Sequence, residues 1–156
     1  MFGQEMVGVL MAHGAQVMGF NRSNLDLSLG PDKLVETFQA FDVLINAIAI
    51  TNVEEAERDP ATANLVNGHY AGLLANVSSL SGSLMVQLST NYVFDSLNPD
   101  PIRINANPNP VNVYGASKAL GESLVAASGS KYIIFRTAWL YGAPVSYTHL
   151  TLPTNR

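Results

Sequence analysis

Cysteine is absent from this chain of 156 residues, which excludes both a disulfide framework and a thiolate-ligated metal centre. Charge is scarce too: 13% of the residues are Asp, Glu, Lys or Arg, and the net charge is −4. Without a basic footprint or a run of like charges, nucleic acid and anionic membrane surfaces are poor partners. No apolar run reaches the ~18 residues that cross a bilayer, and the start lacks the basic-then-apolar order of a secretory leader. The three histidines are scattered, so no metal site is expected from them. What is abundant is hydrophobic side chain, 47% of the whole, enough for one domain with a buried core. The expectation is a cytoplasmic globular protein.

Apolar residues along the chain switch between helical and strand periods. Residues 3–14 read as a helix, with Met6, Val9 and Leu10 on its apolar face and Gly14 as its stop. Gln16 to Phe20 reads as a short strand, 31–39 as a helix opened by Pro31, and Phe41 to Ile50 as a nearly unbroken apolar strand. A helix at 53–58, a longer one from Asp59-Pro60 to Ser81-Gly82, and a strand at 84–89 follow. After a polar loop over 97–112, a helix through Tyr114 and Lys118 runs to about Ala127, and 132–136 forms a last strand. The order α-β-α-β-α-β-α-β predicts an α/β fold, a doubly wound parallel sheet whose ligand site lies beyond the carboxyl ends of its strands. Unalternating apolar strands suit a sheet covered on both faces. Such a sheet opens on a strand and a glycine-rich turn, so the expectation is that a first strand precedes residue 1.

Within the stretch Tyr114-Gly115-Ala116-Ser117-Lys118, a tyrosine and a lysine four residues apart share one face of a helix. A phenol titrates near pH ~10, so it exchanges protons near neutrality only beside a cation that stabilises the phenolate. Lys118 is a candidate for that cation. A surface helix with a snorkelling lysine and a half-buried tyrosine has the same spacing. The choice between these readings rests on the surrounding motifs.

Those motifs occur in one order: Met1-Phe2-Gly3-Gln4 at a helix start, Asn46-Ala47-Ile48-Ala49 after a strand, Val53-Glu54-Glu55-Ala56-Glu57, and Asn67 in the next helix. Ser89-Thr90-Asn91-Tyr92-Val93-Phe94-Asp95 then closes a strand, followed by Val113 to Lys118 and by Arg136-Thr137-Ala138-Trp139-Leu140-Tyr141-Gly142. The ordered set resembles the extended short-chain dehydrogenase/reductase superfamily, most closely its dTDP-4-dehydrorhamnose reductase branch, over residues 1 to 142. The resemblance implies a Rossmann-like domain over residues 1–144, lacking the first strand and the C-terminal substrate-binding portion. It also implies NADPH or NADH as cofactor and a 4-keto nucleotide sugar as substrate.

In that resemblance Tyr114 is the proton donor, Lys118 holds the nicotinamide ribose and tunes the phenol, and Thr90 polarises the substrate carbonyl. Gly3 matches the last glycine of the phosphate turn, although a flexible terminal glycine reads the same. Arg22, with no acidic residue beside it, suits a 2′-phosphate and so NADPH. Asp26 is either an adenine-side carboxylate or a turn residue. Asn46, Ala47 and Ile48 offer small residues and backbone groups beneath the cofactor, or simply belong to a buried strand. Asn91, Tyr92 and Trp139 fall where the family lines its sugar pocket, and core packing accounts equally well for either aromatic.

Three departures accompany the match. Asn91 stands where the family has aspartate, and Ile102 to Asn107 lacks the acidic residues usual there, which bears on the sugar and on the divalent ion some relatives use. Residues 145–156 leave the family pattern and resemble the translation of a sequencing adapter, a non-native tail in which His149 carries no catalytic weight. With both ends truncated, the chain itself is expected to be inactive although its parent is an enzyme; an oligomer is compatible with either. Two further readings share the scaffold: a non-catalytic regulatory subunit like that of methionine adenosyltransferase, and a nucleotide-sugar epimerase or dehydratase.

Overall fold

The computed structural model describes residues 2–95, 101–103, 105–138 and 140. Contacts divide the chain into two units, Met1–Gly19 with Trp139–Arg156, and Phe20–Ala138. The first contains helix α1, Phe2–Ala12, ended by Gly14 in the left-handed region at φ 84°. Beyond it, Gln16 to Gly19 is not a strand. A strand requires a neighbour to supply its ladder, and among the described residues none pairs with this stretch.

In the second unit, Pro31 at the first position opens helix α2, Pro31–Phe38, where its fixed φ suits the turn and its missing N–H costs nothing. Strand β1 is Val43–Asn46, shorter than the apolar run around it. The cause is Asn46, whose Oδ1 accepts the Ile48 N–H at 3.0 Å and turns the chain out of the ladder. Asn52 caps α3, Val53–Arg58, and Asp59 caps α4, Pro60–Ala63. A single wide π-turn, Asn64–His69, leads into α5, Tyr70–Ser81, which Gly82 closes in the left-handed conformation. Strand β2 is Leu84–Thr90, a 3₁₀ turn covers Asn91–Val93, helix α6 is Val113–Ala127 and strand β3 is Lys131–Thr137.

The strands form a parallel sheet in the order β1-β2-β3, with Asn46 beside Gln87 and Thr90 beside Thr137. Helices α5 and α6 lie against one face of it, and α2 packs on α5. The core gathers there: Leu34 and Phe38 of α2, Leu74 and Val77 of α5, and Val125 of α6 close over Leu44 and Met85. Phe20, Phe38 and Phe41 add an aromatic cluster with centroids 5.1 to 6.3 Å apart, Phe41 edge-on to Phe20 and the other pairs tilted.

The opposite face differs from the sequence expectation. Val43, Ile133 and Phe135 point that way and are 44%, 42% and 51% exposed, so the unalternating apolar runs are not matched by burial on both faces. Helices α5 and α6 lie against the strands on the Met85 side. The parallel α/β architecture stands, and its consequence is that the carboxyl ends of β1, β2 and β3 open on a common edge.

Candidate active site

Thr90 ends β2 on that edge, and the 3₁₀ turn after it brings Tyr92 back over the start of α6. The Thr90 hydroxyl caps this turn by accepting the Tyr92 N–H at 3.2 Å. Gly115 makes the approach possible, because a Cβ there would fall on the Tyr92 carbonyl oxygen. The Tyr92 ring meets Tyr114 edge-on, centroids 5.7 Å apart. Two orphan donors at the start of α6 are satisfied, Gly115 N–H by Asn112 Oδ1 at 2.7 Å and Val113 N–H by the Glu57 carboxylate at 2.8 Å.

Tyr114 and Lys118 then project one turn apart toward the end of β2. Burial pushes the Tyr114 phenol above its ordinary pKa, a hydrogen bond with the Thr90 side chain pulls the other way, and Tyr92 adds to the rise. Lys118 is not among the groups that shift the phenol; the lysine is turned to the backbone. Its Nζ donates to the Leu88 carbonyl at 2.5 Å in a site 4% exposed. Desolvation brings its pKa down to about 8, opposed by the charge of Glu122. Lys118 is not a snorkelling surface lysine.

Glu122, one turn further along α6, is buried as well. Its carboxylate accepts the Ser89 hydroxyl at 2.5 Å and a forked pair from Arg136 of β3, with Nη2 at 2.7 Å and Nε at 3.0 Å. That contact raises the Arg136 pKa, and the guanidinium also lies over the Phe94 ring, 4.8 Å from its centroid. Thr137 donates to the Ser89 carbonyl at 3.1 Å. The sequence reading passes over Glu122, although its four-residue spacing from Lys118 was a usable signal.

A second tie comes from the π-turn. Asn67 Oδ1 accepts the Ile50 N–H at 2.8 Å, and its Nδ2 donates to the Ile50 carbonyl at 3.0 Å and to Ser117 Oγ at 2.9 Å. Gly121 lets the two helices close, since a Cβ there would strike the Asn67 carbonyl. The loop after β1 is thereby fastened to the helix bearing Tyr114 and Lys118.

The other predicted residues are placed as follows. Asn46 is buried and donates to Gln87 Oε1 at 2.8 Å, so its side chain is spent inside the sheet end. Ala47 is exposed and Ile48 half-buried on the ledge beyond β1. Asp26 caps the turn Leu27–Leu29, accepting Ser28 Oγ and N–H at 2.7 and 2.9 Å; these bonds hold its carboxyl below the usual range. Arg22 is exposed in the preceding turn. Asn91 borders a cavity of about 420 Å³ with Phe94, Ile102, Arg103 and Arg136. Gly3 lies within α1, in the other unit. Trp139 and the tail 145–156 lie outside the described residues.

Among the described residues, no helix is long and apolar enough to cross a membrane, and no group of three acidic or histidine side chains could hold a metal ion.

Several known proteins are similar to this chain. The RmlD substrate binding domain matches residues 1–151. A dTDP-4-dehydrorhamnose reductase of Burkholderia thailandensis is 42% identical over 144 residues, 90% of this chain and 47% of that protein. A reductase of the same name from Bacillus anthracis, solved in complex with NADP, superposes with a TM-score of 0.81 at 33% identity, over 89% of this chain and 50% of that one. The Thermus thermophilus UDP-glucose 4-epimerase superposes at 0.71 over 87% of this chain and 51% of its own, and at 21% identity it shares the fold alone. The chain spans about half the length of the relatives it matches. It belongs to the RmlD substrate binding domain family.

Proposed function

We propose that this chain is the catalytic half of an NADPH-dependent reductase of a 4-keto nucleotide sugar, of the dTDP-4-dehydrorhamnose reductase type. The observation that carries the reading is the convergence of Thr90, Tyr114 and Lys118 at the carboxyl end of β2, in a chain of this family. The chain spans about half the length of the relatives it matches, so activity is assigned to a full-length protein that carries this sequence.

The residues present fit a nicotinamide cofactor. Lys118 has three donors and a single acceptor in Leu88 O, leaving donors for a ribose diol. Arg22 is free of any carboxylate partner in the hydrogen bonds of its turn and suits a 2′-phosphate, and the ledge at Asn46 to Ile48 offers backbone without bulk. When bound, the cofactor supplies a hydride to the keto carbon. Tyr114, kept protonated by burial, donates its proton to the oxygen on which negative charge develops. Thr90, whose side chain acts on the Tyr114 phenol, is placed to receive that oxygen beside it. Tyr92 and Asn91 border the side from which the sugar approaches, and Trp139 is proposed as a further sugar-binding residue.

The test is NADPH oxidation against a panel of 4-keto nucleotide sugars, using a full-length protein that carries this sequence. Tyr114→Phe is expected to reduce turnover by about 10²–10⁴-fold while cofactor binding persists. Wild-type turnover by that variant sinks the mechanism. No turnover of any sugar by the intact protein favours the regulatory-subunit reading, and epimerisation without net oxidation of NADPH favours an epimerase.

A further inference from the structure

We propose that Glu122 is the positioning residue of the Tyr114–Lys118 pair: through Ser89 and Arg136 it sets the register of α6 against the ends of β2 and β3. In the same role it supplies the buried negative charge that keeps the Lys118 ammonium seated at Leu88.

The geometry is specific. Lys118 reaches Leu88 O at 2.5 Å and Glu122 reaches Ser89 Oγ at 2.5 Å, so successive turns of α6 grip successive residues of β2. The next residue is Thr90. A slide of α6 along β2 moves Tyr114 relative to Thr90, and Glu122 opposes that slide from two strands at once, because Arg136 holds it from β3 with Nη2 at 2.7 Å. A carboxylate used only to neutralise Arg136 has no need of a 5%-exposed position one helical turn from a buried lysine; desolvation there is costly unless both cations use it.

Among the described residues, the other titratable groups at this end of the molecule are Glu57, which binds the α6 start, Tyr92 and Tyr114, whose rings meet, and Arg136, which holds Glu122. Of the charged groups, Glu122 is the one that acts on Lys118, in opposition to desolvation.

The experiment follows the side-chain Cε resonances of Lys33, Lys118 and Lys131 against pH by NMR in this chain with ¹³C-labelled lysine, Lys118 being assigned by its loss in Lys118→Arg. In Glu122→Gln the Lys118 midpoint is expected to fall by roughly one pH unit, while Lys33 keeps its own. Glu122→Asp restores most of the fall. Where the single variant unfolds, Glu122→Gln combined with Arg136→Met removes both charges of the pair together, and the Lys118 midpoint still falls. An unmoved Lys118 midpoint in either folded variant overturns the proposal.

A kinetic arm rests on the proposed function: in the full-length enzyme, the alkaline limb of kcat/KM shifts downward with the Lys118 midpoint. If the wild-type enzyme turns over no sugar, that function fails while the titration still decides the role of Glu122.

Discussion

Two regions of the larger unit solve the same problem in opposite ways. At the turn carrying Arg22 and Asp26, polar side chains bond to neighbours two or three residues away: Asn21 to Ser23, Asn24 to Asn21, and Asp26 to Ser28. At the carboxyl end of β2 the partners are far apart in sequence, Ser89 with Glu122, Asn67 with Ser117 and Lys118 with Leu88. Local bonds satisfy a turn without fixing it to the rest of the molecule. Long-range bonds between buried groups tie three elements into one arrangement, and each becomes costly to leave unpaired. On the proposed function, the difference suits a site whose reacting groups need fixed geometry while the turn needs only an accessible charge.

The contrast breaks most severely at Gly121. Its missing side chain is what lets α6 approach the π-turn, and Val there collides with backbone at Asn67, which cannot rotate away. We expect Gly121→Val to destabilise the fold by about 3 kcal/mol or more, read from the urea midpoint. A loss below about 1 kcal/mol means that the π-turn and α6 are less tightly coupled than their contacts imply.

A pH series sharpens the comparison next. Lys118 has a folded pKa of about 8 against the ordinary lysine value of 10.5, so between these values the unfolded chain binds more protons than the native one, and stability rises with pH. The penalty is fully present below about pH 8 and is relieved toward pH 10, by up to about 3 kcal/mol. Tyr114 acts in the reverse sense at the top of the range: its folded pKa is raised, so stability falls as the unfolded phenol ionises above about pH 10. Urea midpoints between pH 7 and 10 are expected to rise for the wild type and to stay level for Lys118→Met. A level wild-type curve contradicts the burial of the ammonium.

The same division explains what could be read in the sequence. Pro31, Asp59-Pro60 and Gly82 announce their helix ends through local chemistry, and the structure places α2, α4 and α5 accordingly. The run from Phe41 to Ile50 looked like one strand because its apolar side chains carry no sign that Asn46 will take the Ile48 N–H. Gln16 to Phe20 has strand composition, yet a ladder depends on a neighbour that composition does not specify. Thr90, Tyr114 and Lys118 were legible only as members of an ordered motif set. Glu122 was not, because the residues that give it meaning, Ser89 and Arg136, lie 33 and 14 positions away.

Capping offers a milder test. Asn112 accepts the Gly115 N–H at 2.7 Å at the entrance to α6, a local bond at the threshold of the long-range network. Asn112→Ala is expected to cost about 1 kcal/mol in thermal or urea unfolding. Because Glu57 still holds Val113 N–H, the helix start is expected to persist. A cost of several kcal/mol would place Asn112 within the network itself.

The smallest effect belongs to Arg22. It is exposed, and the bonds of its turn run between Asn21, Ser23 and Asn24, so Arg22→Ala is expected to change stability by less than about 0.5 kcal/mol. On the proposed function it carries a charge that only a 2′-phosphate needs. The same variant in the full-length enzyme is therefore expected to raise KM for NADPH at least about tenfold, the loss of one charge-assisted contact, and to leave KM for NADH nearly unchanged. Equal losses for both cofactors would mean that Arg22 supports the turn rather than the phosphate. The locally bonded region would then be as structural as the end of β2, and the contrast between the two would disappear.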